Sequence, residues 1–135
     1  PAASRLMVNG RNKGASFERE VANMLRDELG IGFKRDLEQY RAGAHADLIP
    51  DDPTFPFTLE LKRYANGPIG GAPAWWEQVK VAAEREQKLP CLIYKYDRKP
   101  MRCVIPLAAL TECDHDYTAE VNFETFCYIA REAMQ

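Results

Sequence analysis

Two side chains in the run Phe57-Thr58-Leu59-Glu60-Leu61-Lys62 are suited to chemistry, the Glu60 carboxylate and the Lys62 ammonium. Apolar Phe57, Leu59 and Leu61 alternate with Thr58, Glu60 and Lys62, and period-two alternation predicts a β-strand. A strand sets residues two apart on one face, about 6.5–7 Å from one another. A carboxylate there can hold a hard divalent cation, and an ammonium beside it can offset negative charge that develops near the metal. A solvated strand face with a cross-strand ion pair accounts for the same letters. The pattern is also loose. Glu86-Gln87-Lys88 repeats it at the end of a predicted helix, where the two side chains splay about 200° apart.

Other residues give the strand copy company. Asp47 opens a short predicted strand, Ala46–Ile49, and Pro50-Asp51-Asp52-Pro53 supplies a turn before the Glu60 strand. A hairpin would bring the Asp47 and Glu60 carboxylates together, where they repel unless a cation lies between them. Glu18 stands in the first turn of a helix predicted over Ser16–Leu29. At helical spacing it falls at about 100° from Phe17, between Leu25 at about 80° and Leu29 at about 120°. A carboxylate inside the apolar sector needs a partner, because an unpaired buried charge is costly. Gln78 adds a neutral polar group at the start of the next predicted helix.

The elements that must position these residues follow from periodicity and punctuation. Residues 1–13 are polar and basic, with Asn9-Gly10 as a turn signal, and read as a flexible arm. The Ser16–Leu29 helix stops at Gly30 and Gly32, and Phe33–Glu38 is the first predicted strand. Residues 40–45 form a loop, and residues 66–73 form a second one, rich in Gly and Pro. Trp75–Lys88 is predicted as a helix, Cys91–Tyr96 and Cys103–Ile105 as strands, and Pro106–Leu110 as a helical turn. Asn122 caps a closing helix that ends at Met134. The order α-β-β-β-α-β-β-α makes a mixed sheet flanked by helices, an α/β fold in a single domain over 1–135, with 111–135 an acidic extension.

Composition sets the limits. A chain of 135 residues, 46% hydrophobic and 28% charged, has room for one real core. No apolar run reaches the ~18 residues of a membrane span, and the opening residues lack a signal-peptide core, so a cytoplasmic home is expected. Four cysteines without a Cys-x-x-Cys pair argue for reduced thiols rather than a zinc site. The net charge is −2, unevenly spread: residues 1–102 hold 17 Lys/Arg against 14 Asp/Glu, and residues 103–135 one Arg against six acids. The first part is compatible with a phosphate-binding face, while the acidic 112–124 stretch reads as solvated surface or as a means of keeping a polyanion off one side.

The order and spacing of these pieces resemble the PD-(D/E)xK nuclease superfamily. The chain is most similar within it to the archaeal-type Holliday-junction resolvases, whose first helix opens with Lys-Gly-x-x-x-Glu-Arg, here Lys13-Gly14-Ala15-Ser16-Phe17-Glu18-Arg19. Asp47-Leu48-Ile49, Glu60-Leu61-Lys62, Glu77-Gln78 and the late Val104-Ile105-Pro106-Leu107 continue the match, from about Arg11 to Leu110. Ala46 stands where the motif's proline would precede the Asp, and the loop Arg41-Ala42-Gly43-Ala44-His45 lacks the serine often found there.

The resemblance implies a restriction-endonuclease-like fold and a Mg²⁺-dependent phosphodiester hydrolase, with Mn²⁺ able to substitute, acting as a homodimer on branched DNA. It implies metal binding by Asp47, Glu60 and the Leu61 carbonyl, with Glu18 at a second metal or its water. Lys62 would position or activate the attacking water and stabilise the pentacovalent charge, and Gln78 would orient the nucleophile. Candidate DNA-binding groups are Arg11, Lys13, Lys34, Arg35, Arg41, His45 and Arg63. Trp75 and Trp76 suit either stacking on exposed bases or burial. A general endo- or exonuclease of the same fold and a non-catalytic DNA-binding domain are the alternatives.

Overall fold

The computed structural model describes residues 2–37 and 46–135, with side chains from Lys13 onward. Helix α1 spans Ala2–Leu29, so the segment expected as a flexible arm is instead the helix's opening turns. Ala, Leu, Met, Arg and Lys are good helix formers and outweigh Gly10, whose cost in a helix is about 1 kcal/mol. The helix stops where expected, at Gly30, which takes a left-handed φ of 71° and donates its N–H to the Arg26 carbonyl at 2.8 Å.

Among the described residues six strands follow: β1 (Phe33–Arg35), β2 (Leu48–Pro50), β3 (Phe57–Tyr64), β4 (Leu89–Tyr96), β5 (Arg102–Pro106) and β6 (Thr118–Asn122). Helix α2 (Pro73–Glu86) joins β3 to β4, and α3 (Phe123–Ala133) closes the chain. The strands lie in one sheet in chain order. All neighbours are antiparallel except β3 and β4, which run parallel with α2 as their crossover. The mixed α/β sheet expected from the sequence is present, with β6 added inside the stretch read as acidic surface. Asn122 caps α3 as expected, accepting from the Thr125 N–H at 2.8 Å.

Both faces of the sheet are covered. On one, Phe17, Val21 and Leu25 of α1 and Phe126, Cys127 and Ala130 of α3 meet Phe57, Leu59, Leu61, Cys91, Ile93, Cys103 and Ile105. On the other, Val79 of α2 packs with Leu92, Tyr94, Tyr96 and Val104, and Trp75 and Trp76 lie against them. Each fully buried aliphatic or aromatic side chain contributes about 1.5–3 kcal/mol. Trp75 stacks on Tyr64 with ring centroids 5.1 Å apart, which takes it out of play as an exposed stacking platform. Cys91, Cys103 and Cys127 are buried free thiols; burial pushes Cys91 well above the usual thiol range and Cys127 up to about 12. Among the described residues, no helix is long and apolar enough to cross a membrane.

Candidate active site

The hairpin expected between the Asp47 and Glu60 segments exists, and its register decides what meets what. Leu48 pairs with Leu59, and the Asp47 N–H donates to the Leu59 carbonyl at 2.9 Å. Continuing that register by one residue sets Asp47 opposite Glu60. Regular pairing stops there, which leaves the next β3 donor open. The Asp47 side chain takes it: Oδ2 accepts from the Leu61 N–H at 2.6 Å. The Asp47 carboxylate is therefore bound to the same strand that carries Glu60 and Lys62.

Because α2 covers the face of β3 that bears Thr58 and Glu60, that face is not solvated. Glu60 is only 2% exposed and Thr58 1%. Lys62 reaches back along its own strand, its Nζ 3.3 Å from Glu60 Oε1, so the ion pair is within the strand rather than across it. Glu60 Oε2 is buried with no hydrogen-bond partner among the described residues. Burial raises the Glu60 carboxyl above its ordinary range, against the pull of Lys62. Burial foremost, then the Glu60 charge, pushes Asp47 up to about 8, although the Leu61 N–H pulls the other way.

Glu18 completes the group from α1. It is 7% exposed, as its place in the apolar sector required, and Arg35 of β1 supplies the partner, with Nε 3.1 Å from Glu18 Oε2. Its charge is felt by both Asp47 and Glu60. Among the described residues no three carboxylate, His or Cys side chains stand as a ready-made metal cage. Two carboxylates suit Mg²⁺ nevertheless, because that ion keeps several of its waters and needs few protein ligands. A carboxylate oxygen left without a partner among the described residues, beside a second buried carboxylate, fits a divalent cation.

The remaining candidates divide. Arg35 is engaged with Glu18, and Arg63 and Lys13 converge on Asp97 Oδ1 at 2.7 and 3.0 Å. Lys34 is exposed on β1. Gln78 is exposed on the second turn of α2. The side chain of Arg11, and all of Arg41 and His45, lie outside the described residues.

Glu86, half of the second Glu-x-Lys, is held by tertiary contacts that local pattern does not show. Its Oε2 accepts from Thr58 Oγ1 at 2.8 Å and its Oε1 from the Ala46 N–H at 3.4 Å. It ties the end of α2 to β3 and to the residue before Asp47. Thr58, inward-facing beside Glu60 in the alternating pattern, was the one sequence signal that a polar partner was needed there.

A family model described as "Phage putative PDDEXK endonuclease" matches residues 9–134, nearly the whole chain. The chain belongs to this family of phage PDDEXK endonucleases. Among solved structures it is similar to Hjc of Archaeoglobus fulgidus, a Holliday junction resolvase from an archaeal hyperthermophile, with a TM-score of 0.60 and 16% identity. That likeness covers 87% of this chain and 98% of the other, and at such identity it shows a shared fold. No curated protein matches the chain. The family and the fold make this a nuclease of the PD-(D/E)xK kind.

Proposed function

We propose that this nuclease is a single-domain endonuclease that cuts branched DNA, four-way junctions foremost, by paired nicks from a homodimer, with Mg²⁺ held by Asp47 and Glu60. The observation that carries the metal site is geometric: two buried carboxylates, Asp47 and Glu60, face each other across β2 and β3, and Glu60 Oε2 has no hydrogen-bond partner among the described residues. A bound divalent ion, Mg²⁺ or in its place Mn²⁺, would supply an acidified water and charge neutralisation at the scissile phosphate. The Leu61 carbonyl and, at a second ion or its water, Glu18 complete the proposed ligand set. Lys62, held by Glu60 at the rim with its side chain 18% exposed, donates to the attacking water and offsets charge on the phosphate oxygens. Gln78, exposed on α2, is assigned the role of orienting that water. Lys34, Arg11, Arg41 and His45 contact phosphates, with Lys13, Arg35 and Arg63 setting the charge behind them. Three buried free thiols suit a reducing cytoplasm.

The family's description names an endonuclease, and cutting of ordinary DNA by the same fold is the second reading. Synthetic four-way, linear duplex and single-stranded DNA, each incubated with Mg²⁺, separate the two. Symmetric nicks across the junction with linear duplex spared are expected. Equal cutting of all three would remove the junction preference, and no cutting with Mg²⁺ or Mn²⁺ would overturn the nuclease assignment.

A further inference from the structure

Ile69, in the Gly/Pro loop that leaves β3, is 97% exposed. Single exposed aliphatic residues are ordinary on protein surfaces. This one differs in what lies beneath it. Gly71 donates its N–H to the Pro68 carbonyl at 3.1 Å, and Gly70 takes φ 84°, so Pro68–Gly71 is a tight turn with Ile69 at its second position. Tyr94 accepts the Gly70 N–H at 2.9 Å, and Tyr96 donates to the Pro68 carbonyl at 2.7 Å. The Tyr94 hydroxyl in turn donates to Glu120, which also pairs with Arg102 at 3.5 Å. A Cβ on Gly67 would sit 2.5 Å from the Tyr96 hydroxyl oxygen, so the loop lies flat on that ring. The backbone is pinned by side chains of β4, while the one apolar side chain at the tip points away from the core.

The surroundings say what that tip meets. β3 and β4 are parallel, so the loop leaves at the same end of the sheet as the turn after β4, and the Asp97 N–H donates to the Ala65 carbonyl at 3.1 Å, joining the two. That turn carries Arg98 and Lys99, both exposed. The nearby Asp97 carboxylate is already taken by Arg63 and Lys13. The strand end lies about 13 Å beyond Glu60, on the order of four nucleotide steps. An apolar wedge with cations beside it, a few nucleotides from a phosphodiester-cutting centre, matches side chains that insert between base steps while basic neighbours hold the backbone.

We infer that Ile69 is a wedge that enters an unstacked base step of the DNA substrate, with Arg98 and Lys99 holding the adjoining phosphates. The inference rests on the proposed nuclease function and adds the element that recognises distorted DNA. Ile69→Ser is the direct variant, and at 97% exposure it leaves the fold intact, which an unchanged melting temperature verifies. Binding is read with Ca²⁺ in place of Mg²⁺, using a four-way junction with 2-aminopurine at the branch point and a linear duplex. The wild-type chain is expected to brighten the 2-aminopurine. Ile69→Ser should lose that signal and bind the junction about tenfold more weakly, with duplex affinity unchanged. Arg98→Ala with Lys99→Ala should weaken both DNAs and flatten the salt dependence. An unchanged signal and affinity in Ile69→Ser, with cutting intact in the wild type, overturns the wedge alone. A change of oligomeric state in Ile69→Ser also overturns it, because Ile69 would then belong to a contact between copies. A wild-type chain that binds and cuts no DNA overturns both the wedge and the nuclease assignment.

Discussion

The chain carries Glu-x-Lys twice, and the two copies differ in everything but their letters. In Glu60-Leu61-Lys62 a central strand turns both side chains to one face, and the carboxylate and ammonium meet at 3.3 Å. In Glu86-Gln87-Lys88 the pattern straddles a helix stop: Gln87 takes a left-handed φ of 58°, and the chain swings into β4. There Glu86 bonds to Thr58 and the Ala46 N–H instead of to Lys88. Glu60 is buried with its carboxyl pushed above the ordinary range, whereas Glu86 is exposed and hydrogen-bonded. A motif's chemistry is set by the backbone under it, and the burial around it decides whether a carboxylate is available to a cation.

The sharpest way to break this contrast is to neutralise the two charged residues of the first copy, one at a time. Glu60→Gln should abolish metal-dependent cutting, and Lys62→Ala should lower kcat by about 100–1,000-fold, both in a DNA-nicking assay with binding retained. Undiminished cutting in Glu60→Gln would erase the difference between the copies.

The pH dependence of stability comes next. Without divalent metal, the folded chain keeps a proton on Asp47 up to about pH 8, whereas the unfolded chain loses it near 3.8. The folded state thus binds more protons in that window, and this group's contribution falls as pH rises from about 4 to 8. Asp47→Asn should flatten that slope and, at pH 8, raise Tm by about 4 °C for each kcal/mol of relieved burial cost. Thermal melts across pH, with chelator present, check this, and an Asp47→Asn chain that melts lower at pH 8 would contradict the strain. Glu86→Ala should cost only about 1 kcal/mol, the scale of a hydrogen bond, and slow cutting less than tenfold. Lys88→Ala should change neither stability nor rate by more than about 0.5 kcal/mol. Denaturant midpoints and the same nicking assay distinguish them.

Much of the site was legible because periodicity carries it. Alternation marked β3, and helical spacing put Glu18 on the buried side of α1. Turn residues between Asp47 and Glu60 implied the hairpin that pairs them. What escaped was pairing across long separations: Arg35 with Glu18, Glu86 with Thr58, and Asp97 with both Lys13 and Arg63. Such contacts depend on tertiary approach, and nothing in local pattern encodes them. Strand β6 escaped because it is five residues long and fully buries none of them. The start of α1 escaped because Asn9-Gly10 signals a turn locally, and the helix runs through it.

The strands of the sheet stand in the order in which they are made. Each new strand is laid beside the one before it, and among the described residues only the step from β3 to β4 has to wait for an α-helix to be threaded between. Glu18, Asp47, Glu60 and Lys62 all lie within the first 64 residues, and the parallel partner of β3 is complete by Tyr96. The geometry of the proposed cutting centre is thus fixed by the early part of the chain, and the acidic last quarter, with β6 and α3, is added to a sheet that already holds it.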